Sequence, residues 1–178
     1  MDIKLNILAP IFKEPRKSFL IRELARKTRI NPATMRKFVY YYVRQGVLRR
    51  VKSTPYDHFT ANMESRAYLN LKIYNNLDIL TSTGLLEALE KWYEYPPIVL
   101  FGSFSKGTDD EDSDIDLCIV SDIPKSFDAS SFQAPLSRKI SIHQFTKNAW
   151  KRLKEKNAGL VNSIANGITL SGQIEVLP

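Results

Sequence analysis

Only one of the 178 residues is a cysteine, Cys118, so no disulfide can form within the chain and a reducing compartment is expected. Long apolar runs are missing as well, and none approaches the roughly 18 residues that a membrane-spanning helix needs. The first residues make a poor secretory signal, because Pro10, Lys13 and Glu14 interrupt their apolar stretch early. These absences predict a soluble, cytoplasmic protein with no membrane partner. Core material is not scarce: hydrophobic residues make up 43% and aromatics 11%, which excludes a disordered chain. The length fits one large domain or two small ones.

The formal net charge of +7 hides a division. Up to Asn75 there are 16 Lys/Arg against 5 Asp/Glu, a balance of +11, whereas from Asn76 onward 10 stand against 14, a balance of −4. A step of this size predicts two modules, the first of them facing a polyanion. The alternative is a solvated basic face on an ordinary domain.

Residues 2–13 place Ile3, Ile7, Leu8 and Ile11 near helical spacing. A second helix is predicted from about Ser18, with Leu20, Ile21, Leu24 and Ala25 inward and Arg22, Arg26, Lys27 and Arg29 outward. Asn31 before Pro32 is an N-cap residue followed by proline at the first helical position. The helix it opens runs to about Gln45, with Met35, Val39, Tyr42 and Val43 on one face and Thr34, Arg36, Lys37, Tyr40, Tyr41 and Arg44 on the other. Gly46 is its stop signal. The segment VLRRVKSTPYDHFTAN then reads as two short strands turning at Ser53–Thr54–Pro55.

Three helices and a hairpin, carried by IRELARKTRINPATMRKFVYYYVRQGVLRRV, resemble the winged helix-turn-helix domains of prokaryotic regulators. The resemblance implies DNA as a partner, with the third helix in the major groove and basic wing residues on phosphates. Thr34, Arg36, Lys37, Tyr40 and Arg44 are the residues implied for the helix, and Arg49, Arg50 and Lys52 for the wing. The competing reading is a winged helix used for protein contacts. Residues 62–95 read as two amphipathic helices, one around Tyr68 to Leu77 and another around Leu85 to Trp92, opened by Thr83–Gly84 and ended by Pro96–Pro97. The first is a linker or a dimerisation helix, the latter implying a homodimer.

The chemistry-bearing segment is IVLFGSFSKGTDDEDSDIDLCIV. Ile98 to Phe101 reads as a buried strand ending at Gly102–Ser103, and Ile115 to Val120 as a second strand with Asp114 and Asp116 at its start. Residues two apart on a strand share a face, so these carboxylates are presented together, which is unfavourable unless a cation lies between them. Such an oxygen-rich pair suits Mg2+ or Mn2+, with phosphate oxygens completing the shell. Gly102 permits close backbone approach, and the amide and hydroxyl of Ser103 can hold a triphosphate. Lys106 is near enough in sequence to assist, although exposed lysines commonly have no such role. The run Asp109, Asp110, Glu111 and Asp112 reads as a solvated turn, and Cys118 as plain core.

The pattern GSFSKG followed by SDIDLCIV is similar to the signature of the polymerase-beta-like nucleotidyltransferase superfamily, over about residues 80–175. The short length resembles its minimal branch, including antitoxin-like members that accompany HEPN-domain toxins. KISIHQFT resembles that branch's third strand, TKNAWKRLKEKN the following helix, and NSIANGITLSG the closing helix and strand. The fold class expected is thus α+β: a winged helix over residues 1–62, a linker helix over 63–82, and a small nucleotidyltransferase-fold mixed sheet with helices over 83–178.

The resemblance implies Gly102 and Ser103 on the phosphates of an NTP, and Asp114 and Asp116 on metal. In active members a third carboxylate joins them, and two metal ions stabilise the attacking and leaving oxygens. Here that position falls at Ser141, and no Asp or Glu occurs from Ala129 to Lys154. His143, two positions on, is a substitute ligand or base, or else a structural residue of the strand. Three readings follow: a transferase moving a nucleoside monophosphate to a hydroxyl, a DNA-binding regulator that senses nucleotide without turnover, and an antitoxin-type partner of a HEPN ribonuclease.

Overall fold

Helical spacing in the first module produces α1 (Ile3–Lys13), α2 (Ile21–Thr28) and α3 (Pro32–Arg44), followed by an antiparallel hairpin of β1 (Leu48–Val51) and β2 (His58–Ala61). The computed structural model describes residues 3–175; the first two and last three positions of the expected domains lie outside the described residues. Asn31 caps α3 as its sequence suggests, its side-chain oxygen accepting from the Ala33 amide at 2.8 Å. Gly46 takes a positive φ of 71° just past the helix. Ile7, Leu8, Ile11, Leu24, Met35, Val39 and Tyr42 come together in one core with Phe19 and Phe59. The basic residues of α2 and α3 stay outside it.

The second helix starts later than its sequence predicts. Ser18 to Leu20 are not helical, because Phe19 is extended and exchanges two backbone hydrogen bonds with Phe59, each 2.8 Å. The aromatic pair anchors the hairpin to the helices, and this long-range pairing outweighs local helix propensity.

The chain divides into two units, Met1–Asn75 and Asn76–Pro178, at the residue where the charge balance changes sign. Helix α4 (Arg66–Ser82) supplies Tyr68, Leu69 and Leu71 to the core of the first and Leu77, Ile79 and Leu80 to that of the second.

The second unit is α+β. After α5 (Leu85–Trp92) come β3 (Ile98–Phe101), the short helix α6 (Gly102–Lys106), β4 (Ile115–Val120) and α7 (Ser130–Leu136). They are followed by β5 (Ile140–Phe145), α8 (Lys147–Lys156), α9 (Ala158–Ala165) and β6 (Ile168–Ser171). The strands form one mixed sheet in the order β5-β4-β3-β6, with β4 and β5 parallel and the other pairs antiparallel. Strand alternation gives the sheet two apolar faces. Ile98, Leu100, Ile115, Leu117, Ile119 and Ile140 pack with α5 residues Leu85 and Leu89, whereas Val99, Phe101, Cys118 and Val120 pack against Trp150 of α8 and Val161 and Ile164 of α9. Both central strands are thus covered on each side, which is why they read as continuous apolar runs rather than alternating ones. No helix of the described residues is long and apolar enough to cross a membrane.

Candidate functional site

Asp114 and Asp116 begin the face that carries Cys118 and Val120 deeper in the sheet, so the buried part of the face orients its open end. The parallel register sets Asp116 level with Ser141 and Cys118 level with His143, and the Ile115 amide donates to the Lys139 carbonyl at 2.8 Å. In-register residues share a face. The polar end of this face therefore holds Asp116 of β4 with Asp114 just before that strand, and Ser141 and His143 of β5 with Lys139 just before it.

The contacts among them are specific. Ser141 Oγ donates to Asp114 Oδ2 at 3.1 Å, and Lys139 Nζ lies 3.4 Å from the same oxygen. His143 Nε2 is 3.8 Å from Asp116 Oδ1, too far for a hydrogen bond, while its ring meets Phe101 edge-on at 5.3 Å. Both aspartates remain partly open to solvent, with side chains 36% and 29% exposed. Among the described residues, no group of three His, Cys, Asp or Glu side chains is placed to hold a metal ion.

Across the sheet, Phe101 pairs with Asp116 and Gly102 turns the chain into α6. Gly102 has a φ of +73°, and a Cβ there would fall 2.5 Å from Asp116 Oδ2. The carboxylate occupies space that only glycine leaves free. Replacing Gly102 with alanine is expected to cost about 1–2 kcal/mol in backbone strain and, beyond that, to displace Asp116. Thermal melting should show the modest loss, and a nucleotide-binding titration a larger one. Nucleotide binding unchanged in a folded Gly102→Ala protein would separate Gly102 from the site.

Ser103 is half-buried at the start of α6, and Lys106 is exposed at its end. Cys118 is fully buried, and burial pushes its thiol up to about 12, so it stays protonated and has no nucleophilic role.

The acidic turn departs from its sequence reading. Glu111 and Asp112 are exposed, but Asp109 is 1% exposed and held on two sides. Its Oδ1 accepts from Asn76 Nδ2 at 2.8 Å and its Oδ2 pairs with Arg138 at 3.1 Å. Asn76 Nδ2 also donates to the Phe104 carbonyl of α6, and Arg138 to the Ser113 carbonyl next to Asp114. This buried bracket ties α6 to the loop that delivers Asp114. Nothing in the sequence pairs positions 76, 109 and 138; the one signal is an acidic residue in an unusually acidic turn.

In the first unit, Arg36, Lys37, Arg44 and Lys52 are exposed, and Thr34 and Tyr40 half-buried. Arg49 and Arg50 are exposed but engaged, Arg49 with Glu64 at 2.6 Å and Arg50 through its Nε with Asp57 at 2.6 Å. Tyr40 packs edge-on against Phe59, and the Arg36 and Arg50 guanidinium groups lie 5.7 and 5.5 Å from its ring centre. Of the three consecutive tyrosines, Tyr42 is core and Tyr41 is exposed. A groove of about 720 Å³ runs between the starts of α2 and α3 and the hairpin turn, lined by Arg22, Arg36, Tyr40 and Tyr56 among others.

Residues 84–165 match the family model of the nucleotidyltransferase domain, a span that includes Gly102, both aspartates and β5. No curated protein and no solved structure matches the chain significantly.

Proposed function

We propose that the second unit transfers a nucleoside monophosphate from an NTP–magnesium complex to a hydroxyl acceptor, and that a winged helix over residues 1–62 brings it to DNA. The observation that carries the first part is the seating of the Asp116 carboxylate against Gly102, beside Asp114, within a segment matching the nucleotidyltransferase domain. Two carboxylates at the open end of one sheet face fit a single divalent ion such as Mg2+ or Mn2+, and Asp114 and Asp116 would hold it. When bound, such an ion neutralises phosphate charge and polarises the phosphorus under attack.

The remaining work falls to the chain's own groups. Gly102 and the amide and hydroxyl of Ser103 bind nucleotide phosphates, and Lys106 adds a positive charge at the end of the same short helix. The acceptor oxygen bonds to the α-phosphorus as the bond to the β-phosphate oxygen breaks and pyrophosphate leaves. His143, partly exposed beside Asp116, is a base on this face able to take the acceptor's proton. A cytoplasmic setting supplies the nucleotide and suits the lone buried thiol. Incubation with α-labelled ATP, CTP, GTP or UTP, magnesium and cell extract tests the transfer. Label on an acceptor is expected; nucleotide binding without any transfer would replace this reading with the second one.

That second reading is a nucleotide-binding regulator, or an antitoxin-type partner of a HEPN toxin, that does not turn over. Ser141 in the place of the third carboxylate favours it, because a hydroxyl contributes no charge to activate an attacking oxygen.

For DNA, the support is the +11 balance of residues 1–75 together with the exposed Arg36, Lys37, Arg44 and Lys52. Affinity of the full chain for duplex DNA should fall steeply with salt as phosphate contacts release counterions. Replacing Arg36 and Lys37 with alanine should weaken binding and lower the slope of log K against log salt by about 1 for each phosphate no longer neutralised. The same change at Arg49 and Arg50 should act less, since Glu64 and Asp57 already offset their charge. Filter binding at several salt concentrations reads both; salt-independent binding, or none, defeats the claim.

A further inference from the structure

The site's cation content can be read from its third side, given the nucleotidyltransferase reading above. We infer that the site binds one divalent cation with its nucleotide, not two, because Lys139 and Ser141 stand where a second cation and its carboxylate would have to be.

Asp114 Oδ2 accepts a hydrogen bond from the Ser141 hydroxyl at 3.1 Å and forms an ion pair with the Lys139 ammonium at 3.4 Å. A second divalent ion needs a negatively charged oxygen on β5 to bridge it to the β4 pair. At that register β5 offers a neutral hydroxyl, with the Lys139 ammonium on one side of it and His143 on the other. The two carboxylates and one ammonium leave a net charge of −1, enough for one cation shared with a polyphosphate. A second would have to share Asp114 with the Lys139 ammonium, a like charge that already offsets that carboxylate. Among the described residues no third acidic or imidazole ligand joins Asp114 and Asp116. Lys139 has a further role: its ammonium, 70% exposed beside Asp114, can meet a nucleotide phosphate while it stays next to that carboxylate.

The test counts metal directly, without relying on turnover. The full chain is dialysed to equilibrium against Mn2+ and non-hydrolysable analogues of the four NTPs, and Mn2+ is counted per nucleotide retained. One Mn2+ per nucleotide is expected for the natural sequence, and two for Ser141→Asp combined with Lys139→Ala. Lys139→Ala alone should hold one Mn2+, with nucleotide bound several-fold more weakly. Two Mn2+ in the natural sequence overturns the inference and leaves the nucleotidyltransferase reading standing, whereas nucleotide retained with no Mn2+ overturns both the inference and the assignment of Asp114 and Asp116 to a metal ion. A count that stays at one in the double variant overturns the assignment to Ser141 and Lys139. Retention of neither metal nor nucleotide overturns the nucleotidyltransferase reading itself.

Discussion

Replacing either Asp114 or Asp116 with asparagine is expected to abolish nucleotidyl transfer. Asparagine keeps the size and one oxygen but removes the charge that would hold a cation against the phosphates. That charge supplies several kcal/mol of transition-state stabilisation, on the order of 10³-fold or more in rate. Stability should hardly change, since both side chains are partly exposed and removing one charge relieves repulsion between them. The two variants should differ in detail. Asp114→Asn also loses its attraction for Lys139, a mostly exposed pair worth little by itself. Asp116→Asn leaves the space beside Gly102 filled, so any effect there reports charge and not shape. Label transfer and circular dichroism melting on the same preparations separate loss of chemistry from loss of fold. Unchanged transfer in both variants would sink the site assignment.

Replacing Arg138 with alanine should destabilise the second unit by about 3–5 kcal/mol, because it leaves Asp109 as a buried charge without its guanidinium partner. Asp109 is completely buried in its side chain and Arg138 nearly so, so solvent cannot take over. With a urea m-value of about 2 kcal/mol/M, the unfolding midpoint should move down by roughly 2 M. Arg138→Lys should do less harm: the charge remains, although the fork that reaches both Asp109 and the Ser113 carbonyl does not. The loop before β4 should loosen with it, and nucleotide affinity should fall even below the denaturant concentrations that unfold the protein. A midpoint shift under about 1 kcal/mol equivalent would show that the bracket is not what holds Asp114 in place.

Much of the local structure is legible in residue order. Asn31–Pro32 marks the start of α3, Gly46 its end, and the alternation of Lys139, Ser141 and His143 the face of β5, because caps, breakers and strand period act over a few residues. The start of α2 is not legible in this way, because Phe19 answers to Phe59, forty positions away. The burial of Asp109 is hidden for the same reason: its partners lie 33 positions before it and 29 after. An acidic turn looks solvated until the fold brings Asn76 and Arg138 to it.

By itself the sequence determined the division of charge at Asn75, the Gly102–Ser103 turn, the Asp114–Asp116 pair and the lack of any Asp or Glu from Ala129 to Lys154. Each is a matter of composition or of spacing along one strand. Only the tertiary structure decided what meets that pair from the neighbouring strand. Parallel pairing of β4 with β5 sets Lys139 and Ser141 against Asp114, and the register of two strands so joined is set by the packing of both sheet faces rather than by either segment.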